Sequence, residues 1–471
     1  MVEKVEVVII GSGTAGLSAL REVRRETDNF LLINHGTWGT TCASVGCMPS
    51  KALIEAANAF HDRHRFDAFG IEGAQGLRAD IPAILRRVRR LRDGFVKGPE
   101  SVRDDLGERA IAGRARILGP DRVAVGNREI VTNSIIIATG SHPVVPKDWQ
   151  DFGDRILTTD TLFEQMTLPP RIAVIGLGAI GAEMAQALAR LGLDVAGFGT
   201  SQTLAGLSDP EVAAVFHQLF AKEVACHLGA PATLADMGNG IVVKGGGGSF
   251  VADVVLAAMG RHPNIDGLGL ETLGVQLDEH GMPPVDPTTM RIADLPVYIA
   301  GDANGDLAIL HEAADEGHIA GRNAVGDKAD SYCRRTPLGI TFTSPGVARA
   351  GQRLADLDAH EVVVGSVDFS RQGRARLAER DAGLLRIYAD AKTGCLRGTE
   401  MCAPAAEHMV HLLALAIEHE MTAQDVLSMP FYHPVLEEGL RSALRQIARQ
   451  LPDKGGSDLS NCPEVGFEAL D

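Results

Sequence analysis

Apolar residues crowd together from Val5 to Ile10, stop at the turn GSGTAG, and return at helical spacing at Leu17, Leu20 and Val23. That pattern predicts a buried strand, a tight glycine turn and a helix. The same order recurs in RIAVIGLGAIGAEMAQALARLG, residues 171–192, with an apolar strand, a glycine turn and an Ala-rich helix. Between the two openings lie a basic helical stretch near ILRRVRRLRDGF and the apolar strand SIIIATG. GGGG at 245–248 predicts a hairpin turn, and PVYIAGDANG predicts another buried strand ending in a small polar turn. From TPLGITFTSPGVARAG onward, strands expected near 338–343, 361–368 and 384–390 precede helical segments at 404–420 and 436–450, the order of an α+β module. The closing PDKGGSDLSNCPEVGFEALD is turn-rich and acidic and is expected to be a tail.

Size and charge narrow the classes. A chain of 471 residues suits roughly two to four domains of ~100–200 residues each. Only 4% of residues are aromatic, which leaves few platforms for stacking bases, and a formal charge of −16 repels phosphate backbones and anionic lipid. We expect neither a nucleic-acid nor a membrane partner. No stretch approaches the ~18–20 apolar residues that cross a bilayer, and MVEKVEVVIIGSG enters a buried strand at once, so the expectation is a soluble, cytoplasmic protein. The cysteines, at 42, 47, 226, 333, 395, 402 and 462, are too scattered for a secreted disulfide framework.

The chemistry begins with the glycines. Gly11, Gly13 and Gly16 follow a strand and open a helix, where glycine lets a pyrophosphate approach backbone N–H groups at the helix N-terminus. A tight turn without a ligand would explain one such motif. Its recurrence at Gly176, Gly178 and Gly181 points to two Rossmann-like dinucleotide-binding units, one holding a prosthetic group and one an exchanged nucleotide. The acid that usually accepts from the adenosine ribose is absent from both: Asn34 ends FLLIN, and Gly199 stands at the corresponding place in LDVAGFGTSQ. NADH is slightly favoured there, with NADPH left open.

TTCASVGCMPSK, residues 40–51, raises three possibilities: a redox disulfide, a metal clip, or two thiols sharing a loop. On a regular helix Cys42 and Cys47 would point about 140° apart, with Cα atoms beyond the ~7 Å a disulfide tolerates. Gly46 and Pro49 supply the break in helix geometry that a bridge requires. A zinc site would need two further ligands, and His35, His61 and His64 stand at no recognised ligand spacing. No metal is expected.

GSGTAG, GLGAIGAE, TTCASVGCMPSK, IIATGS, AAMGRHPN, YIAGDANG, HEAADEG and HPVLEE occur in that order over nearly the whole chain. In this the sequence resembles the class I flavin-dependent pyridine nucleotide-disulfide oxidoreductases, and within them the dihydrolipoamide dehydrogenase branch. The resemblance implies two Rossmann-like domains and a C-terminal α+β dimerisation domain. Their expected spans are 1–145 for FAD with the Cys pair, 146–265 for NAD(P), 266–335 for a central domain completing the FAD site, 336–455 for dimerisation and 456–471 for the tail. It implies FAD on the first fingerprint, with Thr41, Thr139, Gly140, Ser141, Gly301 and Asp302 as contacts and Ala308, Ile309, Leu310 and His311 passing close to the flavin. Asn34 and Ala115 are carried over as further cofactor contacts, and so are Gly199, Gly260 and Arg261. Cys47 would face the flavin and Cys42 exchange with substrate, while Lys51 sits by the flavin and pairs with Glu183. His433 would be the base, oriented by Glu438 and reaching the partner subunit's disulfide in a homodimer. The implied reaction takes a dihydrolipoyl dithiol and NAD+ to a lipoyl disulfide and NADH, with the lipoyl group free or carried on a lipoylated protein. NAD(P)H-driven reduction of another disulfide, and a diaphorase or sensor flavoprotein with little disulfide turnover, stand as alternatives. Trp38, Thr40 and Val435 depart from the pattern.

Overall fold

The computed structural model describes residues 3–452; the expected tail and Cys462 lie outside the described residues. Its first sheet has seven strands. Glu3–Ile10 lies between Phe30–Asn34 and Arg128–Ile137, parallel to both. Val297–Ile299 returns from far along the chain to pair, also in parallel, with the end of Arg128–Ile137. These strands are apolar runs rather than alternating ones because both faces are covered: Val8, Ile9, Leu32, Ile136 and Ile299 have no exposed surface. The return matters for the site, because Ile10, Ile137 and Ile299 end together and place Gly11, Thr139 and Asp302 at one carboxyl edge.

A second parallel sheet runs in the order Ala225–Leu228, Asp194–Gly199, Arg171–Ile175, Val254–Ala257, Ile156–Leu157. The expected GGGG hairpin is present: Ile241–Gly245 pairs antiparallel with Gly248–Ala252 through Gly246 and Gly247, both at positive φ. Ser141–Pro143 pairs with Arg261–Pro263, so a short ribbon joins the regions of the two large sheets.

The last sheet is antiparallel, in the order Leu338–Thr341, Gly346–Gly351, Leu396–Ala403, Leu384–Asp390, Val362–Asp368. Two of these strands, Gly346–Gly351 and Leu396–Ala403, were not expected from the sequence. The helices are Ala406–Glu418 and Glu438–Gln450, with a short Ala423–Leu427 between them. Among the described residues no helix is long and apolar enough to cross a membrane.

The helix Cys47–His61 belongs to the chain's first part but packs into the core of the second. Leu53, Ile54 and Ala57 share one buried cluster with Ala182, Ala185 and Leu188 of the helix Ala179–Arg190. Burying one such leucine contributes about 1.5–3 kcal/mol. Arg190 fastens the two helices, donating to Asn58 Oδ1 and Glu223 Oε2 at 2.6 Å each.

Candidate active site

The cysteine segment folds as two short pieces. Thr40 caps Thr41–Ser44 by accepting from the Ala43 N–H at 3.1 Å. The chain then leaves helical geometry at Gly46, with φ −111° and ψ −110°, and the longer helix starts at Cys47. This is the break that Gly46 and Pro49 led us to expect. The two thiols are unbridged and hydrogen-bonded to each other. Their protons are unequal. Cys47 falls from 9.0 to about 7, first because the Cys42 thiol donates to it and then because Lys51 is near, against the cost of burial. Cys42 moves far upward for the complementary reasons, the hydrogen bond to Cys47 first and burial second. When the pair gives up a proton, the thiolate is favoured on Cys47 and the remaining proton on Cys42.

Lys51, one turn on, donates from Nζ to Glu183 Oε2 and Oε1 at 2.8 and 3.0 Å. Glu183 is 4% exposed and also accepts from the Phe342 N–H at 2.8 Å. The Phe342 ring lies 4.6 Å from Lys51 Nζ. Sequence reasoning missed Phe342: an aromatic residue in TFTSPG carries no chemical signature until a lysine is seen beneath it.

Cys42, Cys47, Lys51 and Glu183 line one cavity of about 650 Å³. Gly13, Thr41, Gly140, Arg261, Gly301 and Asp302 line it too, as do Ala308, Ile309, Leu310 and His311. At its polar end Ser141 Oγ donates to Asp302 Oδ2 at 2.6 Å and accepts from Arg261 Nε at 2.7 Å. The Gly301 N–H is held at 2.7 Å by the buried Glu316 carboxylate. Ala115 does not line this cavity: it is 4% exposed inside the first sheet, opposite Val125. Asn34 is tied into its own loops, accepting from the Ser12 N–H at 3.2 Å and donating to the Thr37 carbonyl at 3.1 Å. Gly199 ends its strand against Leu228, whose Cδ2 would stand 3.2 Å from an added Cβ. Gly260, at φ +98°, precedes the ribbon strand that carries Arg261.

The expected base and its orienter meet. His433 Nδ1 lies 3.0 and 3.1 Å from the two Glu438 oxygens. The hydrogen bond from His433 holds the Glu438 carboxyl below its ordinary range, and since an ionised carboxylate only accepts, Nδ1 is the donor. The imidazole faces outward, 81% exposed, and does not line the cavity of its own chain. Among the described residues no group of three or more His, Cys, Asp or Glu could hold a metal ion.

The two glycine turns fit dinucleotides by the same geometry. A Cβ on Gly11 would stand 2.1 Å from the Ala138 carbonyl, and one on Gly176 2.2 Å from that of Ala258. Gly16 and Gly181 press equally close to the carbonyls of Gly11 and Gly176. Gly13 and Gly178, between them, have nothing within 4 Å: each turn is packed behind and open in front. Thr139 Oγ1 is buried without a hydrogen-bond partner at the edge of the first site, a polar atom that a ligand would satisfy.

Comparisons with known proteins identify the family. Residues 5–317 match the family described as pyridine nucleotide-disulphide oxidoreductase, and residues 338–444 match its dimerisation domain. The dihydrolipoyl dehydrogenase of Thermus scotoductus is 31% identical over 460 residues, 94% of this chain and 98% of that protein. That of Bacillus subtilis is 30% identical over 449 residues, 93% of this chain and 97% of its own length. Among solved structures, LpdA of Mycobacterium tuberculosis superposes with a TM-score of 0.82 at 26% identity, covering 95% of this chain and 100% of its own. The flavoprotein disulfide reductase RclA of Escherichia coli reaches a TM-score of 0.82 at 22% identity, over 94% of this chain and 99% of its own, a likeness of fold. The chain belongs to the pyridine nucleotide-disulphide oxidoreductases, flavin disulfide oxidoreductases that use FAD and NAD(H).

Proposed function

We propose that the protein oxidises a dithiol of the dihydrolipoyl type with NAD+, through a Cys42–Cys47 disulfide, as a homodimer. The carrying observation is the asymmetric thiol pair, with a protonated Cys42 and a Cys47 held near pKa 7, beside Lys51 in a cavity bordered by both glycine turns. In the oxidised enzyme, His433 of the partner subunit takes the proton from one substrate thiol through Nε2, while Glu438 steadies the imidazolium. The substrate thiolate attacks Cys42 Sγ, the Cys42–Cys47 bond breaks, and Cys47 leaves as the thiolate its surroundings favour. The second substrate thiol closes the product disulfide and expels Cys42, which takes the first proton from His433, while the proton of that second thiol passes to His433 in its place and leaves to solvent. The chemistry FAD would supply when bound is uptake of the electron pair from the cysteines and its delivery to NAD+ as hydride. Gly11, Gly13, Gly16, Thr139 and Asp302 would hold FAD, and Gly176, Gly178 and Gly181 the nicotinamide nucleotide.

Relatives named dihydrolipoyl dehydrogenase at 30–31% identity support the lipoyl group as the substrate, free or on a protein. An exchange pair of this kind works in a reducing interior, which favours the cytoplasm. A second reading, NAD(P)H-driven reduction of another disulfide, is favoured by one observation: neither strand end offers a carboxylate to the ribose, since Asn34 and Gly199 stand there. One assay set separates the readings. Dihydrolipoamide with NAD+, and lipoamide, lipoylated protein and glutathione disulfide with NADH or NADPH, are each followed at 340 nm. The proposal expects the lipoyl substrates with NAD(H) to be fastest and Cys47→Ser to lose about 10³-fold or more. Unchanged turnover in Cys47→Ser would mark a diaphorase and overturn it.

A further inference from the structure

A second cavity, of about 460 Å³, lies between the segment leading into the helix Leu310–Val325 and the first strands of the last sheet. Part of its lining is apolar, from Ile309, Leu338 and Ile417, and Arg349, Arg353 and Arg397 face it as well. Arg397 is paired, with Asp390 at 3.3 Å. Arg349 donates only to the Gly206 carbonyl, at 3.2 Å. Among the described residues neither Arg349 nor Arg353 forms an ion pair.

The surrounding carboxylates do not make up the deficit. Glu400 attracts Arg349, but it already accepts from the N–H groups of Ser208 and Asp209 at 2.8 and 3.1 Å. Glu312, in the lining, is bound by Arg334. That leaves Asp356, on the exposed side, against two guanidiniums. Burial and the adjacent Arg353 charge both disfavour the charged form of Arg349, a penalty that a bound anion would relieve.

We propose that this cavity binds a small amphipathic anion, a carboxylate on an aliphatic or aromatic body, with its head between Arg349 and Arg353 and its body against Ile309, Leu338 and Ile417. A carboxylate matches the planar fork of a guanidinium, and the apolar lining adds what a bare oxyanion cannot use. Arg349 also lines the cysteine cavity, so the two cavities share a wall. Ile309 and Leu338 line both cavities as well, so the proposed pocket adjoins the cysteine cavity without including either cysteine.

The test is calorimetric titration of the FAD-loaded dimer with octanoate, with inorganic phosphate and 1-octanol as separate probes. Octanoate is expected to bind, to weaken roughly tenfold in Arg353→Gln, and to weaken again in Ile417→Ser. Arg353→Gln should keep its thermal midpoint and its NAD-linked activity. Binding of 1-octanol as tight as octanoate, or octanoate affinity unchanged in Arg353→Gln, overturns the proposal. So does phosphate binding in the absence of octanoate binding, which would mean that the arginines take an anion and the apolar lining plays no part.

Discussion

At Cys47 two neighbours act in the same direction with different strengths. The hydrogen bond from Cys42 is the larger cause of its lowered pKa and the Lys51 charge a smaller one, with burial opposing both. In dithiothreitol-reduced protein, alkylation of Cys47 by iodoacetamide should follow thiolate content, rising through a midpoint near pH 7 and falling to about a tenth of its plateau one pH unit below. Lys51→Met removes a stabilising cation and should raise that midpoint; Cys42→Ala removes the donor and should raise it further. Mass spectrometry of the alkylated peptide across pH reads both, and a larger shift in Lys51→Met would make the lysine charge, not the Cys42 hydrogen bond, the dominant cause. This much was legible in TTCASVGCMPSK, because sulfur, a cation and a helix break are visible as residue types. Phe342 was not. Its backbone N–H on Glu183 and its ring over Lys51 come from just past the first strand of the last sheet, and no local pattern announces so distant a contact. Asn34 shows the converse: its place was foreseen, but its amide is engaged by Ser12 and Thr37.

The strand, turn and helix units divide their glycines by task, which makes two nearly identical substitutions behave differently. Gly176 sits at φ +93° with its back 2.2 Å from a carbonyl, so Gly176→Ala forces the turn apart and should cost about 2–4 kcal/mol of stability. Gly178 has open space where a Cβ would go, so Gly178→Ala should stay within about 0.5 kcal/mol of the parent while raising KM for NAD+. Thermal unfolding beside steady-state kinetics checks the pair; equal stability losses would mean that the front of the turn is not free. Both openings could be read from sequence because fully buried parallel strands appear as unbroken apolar runs. The strands missed in the last sheet failed for a related reason. Gly346–Gly351 and Leu396–Ala403 lie inside that sheet, and GVARAG and LRGTEMCA are nearly all buried without alternation or an apolar run. Leu384–Asp390 was found because LLRIYAD carries the bulk those two lack.

The whole chain holds every part of the proposed site, but not in one place. Its cysteines line the central cavity, while its His433 points away from the same subunit with the imidazole 81% exposed and Glu438 fixed behind it. An exposed, oriented base has no task on an isolated chain. On the proposed reading, the same surface in a two-fold dimer would supply the partner's site, and two sites would be completed by exchange. The matched dimerisation domain, residues 338–444, includes both His433 and Glu438. Subunit mixing makes the argument quantitative. His433→Ala and Cys47→Ser homodimers should each lose about 10²-fold or more, because every site lacks its base or its flavin-facing thiol. In a heterodimer with one subunit of each kind, purified through two different affinity tags, one site carries both lesions and the other carries neither. Dihydrolipoamide oxidation by that heterodimer should recover to about half the wild-type rate per dimer. If His433 served its own subunit, each site would keep one lesion and the heterodimer would stay as inactive as its parents.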